Sequence, residues 1–154
     1  MRNERSKKKL SRKTRAAMKI VTLNMRGQRS ANPILPPNKW QGINQMIKKC
    51  QIGILAIQEA HLSNKKRKEL EEQFQRLRIH NSQGDNPRAV GVAIVINRDV
   101  IPDQEVKEFI LIPGRAMITT VQWHANLVIA ILNVYAPNAP QENESFWKNV
   151  LTEA

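Results

Sequence analysis

Residues 52–57 read Ile-Gly-Ile-Leu-Ala-Ile, an almost unbroken apolar run that is too short for a typical helix. Such a run is the signature of a β-strand covered on both faces, and strands of that kind occupy the middle of layered α/β domains. This segment constrains the chain more than any other, because helices or a second sheet must cover each of its sides. The residues before it supply one cover. Met18 to Asn24 is rich in β-branched and apolar residues and reads as a strand, and Met25-Arg26-Gly27 turns the chain. After a polar loop containing Pro33, Pro36 and Pro37, Pro37 and Asn38 are start signals for a helix. Trp40, Ile43, Met46, Ile47 and Cys50 give that helix one apolar stripe. Strand, helix, strand in this order predicts a crossover unit with its two strands parallel in one sheet.

The remainder predicts more layers. Ser63 is a helix cap, and the charged stretch after it is expected to stay helical to about Leu77, with Leu70, Phe74 and Leu77 facing inward. A polar loop is expected from Asn81 to Arg88, broken by Gly84 and Pro87. Strands follow over Val90–Ile96, Val106–Ile112, Arg115–Trp123 and Leu127–Tyr135, the last two joined by a hairpin turn at His124-Ala125-Asn126. Glu142 to Leu151 is amphipathic, with Phe146, Trp147 and Val150 as candidates for burial. A helix-bearing half followed by antiparallel strands predicts stacked α and β layers.

Charge narrows the partner. Twenty-five Lys and Arg against 13 Asp and Glu leave a net +12 on 154 residues, an excess that favours a polyanion, most simply nucleic acid. Residues 1–17 concentrate this charge in Arg2, Arg5, Lys7, Lys8, Lys9, Arg12, Lys13 and Arg15. They are expected to form a disordered basic tail, with 18–154 as the folded domain. The single cysteine, Cys50, precludes an intrachain disulfide and fits a reducing compartment. No secretory signal and no bilayer-spanning apolar stretch is evident, so an intracellular, non-membrane protein is expected.

Polar residues at the predicted strand ends are the candidates for chemistry. Asn24 closes the first strand, Glu59 follows the buried one, and Tyr135 closes the last, with Asn138 just beyond. In layered α/β folds, loops leaving strand ends on one edge converge on a site. A carboxylate after a buried strand suits Mg2+, which takes one or two carboxylates and keeps waters for substrate phosphate. By pattern alone Glu59 also reads as a surface residue before a helix, and Asn24 and Asn138 as turn formers. His61, His80 and His124 lack zinc-site spacing, and neither a P-loop nor a nucleophile elbow occurs.

Taken in order, these segments resemble endonuclease/exonuclease/phosphatase domains. Lys19-Ile20-Val21-Thr22-Leu23-Asn24-Met25-Arg26-Gly27 is similar to their opening strand, and Ile54-Leu55-Ala56-Ile57-Gln58-Glu59-Ala60-His61-Leu62 to their metal-binding strand end. Gly91-Val92-Ala93-Ile94, the Gly114-Arg115 strand start and Leu132-Asn133-Val134-Tyr135-Ala136-Pro137-Asn138 follow as in the family. Leu35-Pro36-Pro37-Asn38-Lys39-Trp40, followed by Ile43-Asn44-Gln45-Met46, resembles the endonuclease domains of non-LTR retrotransposons, particularly fungal ones.

The resemblance covers roughly residues 18 to 151 and implies a four-layer α/β sandwich. It implies Mg2+ (or Mn2+) on Glu59, Asn24 beside it, and Tyr135 and Asn138 on the scissile phosphate. In an element of this type the partners are target DNA, which is nicked, and a reverse transcriptase on the same chain, and the location is nuclear. The family's Gly-Asp-Phe-Asn-like motif and final Ser-Asp-His do not occur here. The expectation is therefore the N-terminal half of such a domain, with little or no nuclease activity alone. A non-catalytic nucleic-acid-binding module and a phosphatase of the same fold are the competing readings.

Overall fold

The computed structural model describes residues 18–27, 38–86, 90–123 and 126–154. The basic tail, the proline-punctuated loop and the hairpin tip residues 124–125 lie outside the described residues. Among the described residues eleven elements follow in order, and two separate sheets organise them. Strands β1 (Lys19–Asn24) and β2 (Ile52–Gln58) pair in parallel through the crossover helix α1 (Lys39–Cys50), as the pattern predicted. Helix α2 (Asn64–Gln73) leads into β3 (Leu77–Ser82), and β4 (Val92–Asn97) inserts between β2 and β3, antiparallel to both. A short 3-10 turn (Asp103–Glu105) precedes an antiparallel meander of β5 (Val106–Ile112), β6 (Ala116–Gln122) and β7 (Val128–Val134), and α3 (Pro140–Glu153) ends the chain.

Three apolar clusters lie between four layers. Alternate residues of β2 point to opposite sides, as strand geometry requires. Leu55 and Ile57 face Trp40, Ile43 and Ile47 of α1 and Leu70 of α2. Ile54 faces the second sheet, joining Val92, Ile94 and Ile96 of β4 against Met117, Val121 and Ile131. On the far side, Phe146 and Val150 of α3 cover Ala116 and Val134. The order is helices, sheet, sheet, helix, and the run at 52–57 is buried because layers cover both its faces. The helix termini obey their local chemistry. Asn38 and Ser63 accept backbone N–H bonds from Trp40 and Lys66 as N-caps, and Pro140 stands at the first position of α3.

Four expectations need correction. Helix α2 ends at Gln73, and Leu77 begins a strand instead of closing the helix. Residues 81–82, expected in a loop, belong to that strand. Its polar side chains hid it, and each has a specific partner: Asn81 donates to Leu62 O at 2.7 Å, His80 meets Glu108 at 2.9 Å, and Ser82 accepts from Gly114 N at 2.8 Å. Trp147, expected to be buried, is 41% exposed beside Phe146, and Cys50 at the end of the α1 stripe is exposed.

Candidate active site

The parallel pairing of β1 with β2 sets Asn24 opposite Gln58, so both strands end at one edge of the sheet. Beyond them the backbone is tied across: Met25 N donates to Gln58 O at 2.9 Å and Gly27 N to Glu59 O at 2.8 Å. These ties force tight reversals. Arg26, Glu59 and His61 all have left-handed φ, between +47° and +51°, which costs an L-residue energy that the surrounding structure must supply. Glycine is required beside them: a Cβ on Gly27 would stand 2.9 Å from His61 Nδ1. His61 is packed between Gly27 and Gly91 at this turn.

This turn brings the first two predicted site residues together. Asn24 Nδ2 donates to Glu59 Oε1 at 2.9 Å, while Asn24 Oδ1 accepts from Arg26 N at 3.1 Å. The carboxylate is thus held by its neighbour's amide, and that amide is oriented by the backbone. Tyr135 leaves the end of β7. Its N–H donates to Arg115 O at 2.7 Å, and the Arg115 guanidinium lies 5.2 Å from the centre of its ring. Asn138 follows on an exposed bend before α3.

A cleft between the open edges of the two sheets is lined by Asn24 and Gln58 on one side and by Tyr135, Asn138 and Trp147 on the other, with Asn133 also on its wall. Three of the four predicted residues share this cleft, and Glu59 joins it through its hydrogen bond to Asn24.

Two polar residues of the cleft went without a role in the sequence reading. Asn133 is only 2% exposed, and its amide makes three bonds, donating to Ile57 O (3.0 Å) and Ala93 O (2.9 Å) and accepting from Gln58 Nε2 (2.7 Å). Gln58 Nε2 also reaches Thr22 Oγ1 at 3.1 Å. The available signal was an asparagine inside the apolar strand Ile131-Leu132-Asn133-Val134, since a buried amide must find partners.

The donor set fits a weakly held divalent cation. Among the described residues no group of three or more His, Cys, Asp or Glu stands together. Glu59 is a single oriented carboxylate, which matches Mg2+ held through one carboxylate with water and substrate oxygens completing its shell.

Comparison with solved structures decides the architecture. The AP endonuclease LMAP of Leishmania major superposes with a TM-score of 0.63 at 15% identity, over 88% of this chain and 47% of that one. The Xenopus laevis APE2 catalytic domain gives 0.57 at 18% identity, over 88% and 50%. This is the endonuclease/exonuclease/phosphatase fold. A Bacteroides thetaiotaomicron mannosyl-6-phosphatase matches similarly, with a TM-score of 0.58 at 14% identity, over 89% of this chain and 60% of that one. The chain therefore spans about half the length of the solved structures it resembles. No protein-family model matches the sequence, and no curated protein matches it.

Proposed function

We propose that this chain carries the Asn24–Glu59 half of a Mg2+-dependent phosphodiester hydrolase site, and that its substrate is DNA. The observation that carries the reading is the Asn24–Glu59 hydrogen bond at the ends of two parallel strands, opening on a cleft shared with Tyr135 and Asn138. Glu59 would hold the cation, and Asn24, bonded to Oε1, would leave the other carboxylate oxygen free for it. The cation, when bound, polarises the phosphate and stabilises the leaving oxygen. The Tyr135 hydroxyl and the Asn138 amide donate to non-bridging phosphate oxygens and hold the ester against the strand ends. Net charge of +12 supports a polyanionic substrate over a small phosphate ester, although the likeness to a sugar phosphatase keeps the latter as the second reading.

The retrotransposon-type endonuclease reading adds a role, nicking of target DNA to prime reverse transcription by a linked polymerase in the nucleus. It rests on the segment from Leu35 to Met46 and on the charge. Nucleophile orientation and general-base groups are to come from the Gly-Asp-Phe-Asn-like and Ser-Asp-His motifs, which these residues do not contain.

Supercoiled-plasmid nicking with Mg2+ tests this. The 154-residue chain is expected to be inactive, and the chain joined to a complementary second half is expected to nick, with Glu59→Ala abolishing the activity. Nicking by the 154-residue chain itself would show that its site is complete. DNA binding without nicking by the joined protein would favour the binding-module reading.

A further inference from the structure

The four site residues come from different sheets. Asn24 and Glu59 leave β1 and β2, whereas Tyr135 and Asn138 follow β7. Between those sheets the packing is mainly apolar, Ile54, Val92, Ile94 and Ile96 against Met117, Val121 and Ile131. Apolar contact is non-directional and does not by itself fix how far one strand end slides along another. Hydrogen bonds do, because their strength falls steeply away from a narrow range of distance and angle.

We propose that Gln58 and Asn133 are positioning residues that set the separation and register of the two halves of the cleft. The proposal rests on the reading of the cleft as a phosphodiester site. Asn133 lies two residues before Tyr135, hence on the same side of the strand, and Gln58 immediately precedes Glu59. The Asn133 amide is bonded through both N–H groups and its oxygen, reaching β2 at Ile57 and Gln58 and β4 at Ala93. Gln58 carries the link on to Thr22, two residues before Asn24.

One chain of side-chain bonds thus runs from β7 through β2 to β1, and each end lies within two residues of a site residue. The side-chain links of His80 to Glu108 and of Ser82 to Gly114 also join the sheets, but they tie β3 to the β5–β6 end of the meander and touch none of the site-bearing strands. A merely structural amide would lend stability alone. A positioning amide also fixes the distance between the strand ends.

Paired spin labels at Lys65 and Gln141, both exposed and flanking the two halves of the site, read that distance in the 154-residue chain with Cys50→Ser. The unaltered cleft is expected to give one narrow distance distribution. Gln58→Leu, a change at a half-buried position that leaves the core intact, is expected to broaden and shift it. Asn133→Asp is expected to do so more strongly, because a carboxylate would face the Ile57 and Ala93 carbonyl oxygens. Ile43→Ala, in the helix-facing cluster, is the control, expected to lower the melting temperature with the distribution unmoved. If Gln58→Leu lowers the melting temperature and leaves the distribution as narrow as before, the positioning role is overturned. The distance requires no metal or substrate, so this result is independent of whether the cleft hydrolyses phosphodiesters.

Discussion

At the residue scale, backbone strain coincides with the candidate site. Five described non-glycine residues have positive φ, and Arg26, Glu59 and His61 among them surround the candidate site. Gln51, at the C-terminal cap of α1, is a useful contrast, since it has a φ of +56° and no part in the cleft. Gln51→Gly is expected to stabilise the protein by about 0.5–1 kcal/mol, through relief of left-handed strain partly offset by unfolded-chain entropy. Urea denaturation checks this. Asn24→Ala removes the donor that orients Glu59 while leaving the carboxylate, and is expected to weaken divalent-cation affinity by about 10–100-fold. Isothermal titration with Mn2+ measures that loss.

Asn24, Tyr135 and Asn138 were legible as candidates because each ends or follows an apolar run, and the fold gathers such ends at one edge. Gln58 and Asn133 were not legible as a pair. Their contact spans 75 positions in sequence, and no local pattern encodes which buried amide meets which.

At the element scale, β1, α1, β2 and the meander were readable because their apolar periodicity matches what they cover. The α2–β3 boundary was not. Helix α2 is so polar that Leu70 is its only buried residue, and β3 alternates Leu77 and Ile79 with Arg78 and His80 at a sheet edge. What stabilises this edge is a tertiary bond: the Ile79 N–H donates to Glu71 Oε1 at 2.8 Å, while Arg67 holds the other oxygen at 2.9 Å. Glu71→Leu leaves that N–H without its acceptor and is expected to cost about 1–3 kcal/mol. The loss should appear as faster hydrogen exchange along β3 before global unfolding. Unchanged exchange at Ile79 would mean that water satisfies the edge equally well.

At the scale of the whole molecule, the four-layer order follows from the burial of β2, but the two sheets carry three and four strands and leave β1 and β7 as edges facing the cleft. Exposed apolar side chains gather there: Ile20 on β1, Val128 and Leu132 on β7, and Trp147 on α3. Open edges with apolar flanks favour association, while a net charge of +12 opposes it. Self-association is therefore expected to rise with salt as the repulsion is screened, and Leu132→Lys is expected to suppress it. Sedimentation velocity across a salt series checks both, and a monomer at every salt concentration would show that these edges do not drive association.

Glu59, held by Asn24 at the rim of a cleft whose other wall carries Tyr135, is the proposed divalent-cation site. Tyr135 is the only tyrosine of the chain, so its ring resonances report on the far wall without ambiguity. Mn2+, standing in for Mg2+, broadens resonances of nearby nuclei. The expected result is selective broadening of the Asn24 side-chain amide and the Tyr135 ring at low Mn2+, reversed by excess Mg2+ and lost in Glu59→Ala. Broadening that Glu59→Ala leaves unchanged, or that appears first at other carboxylates such as Glu142 and Glu144 on α3, would contradict the account.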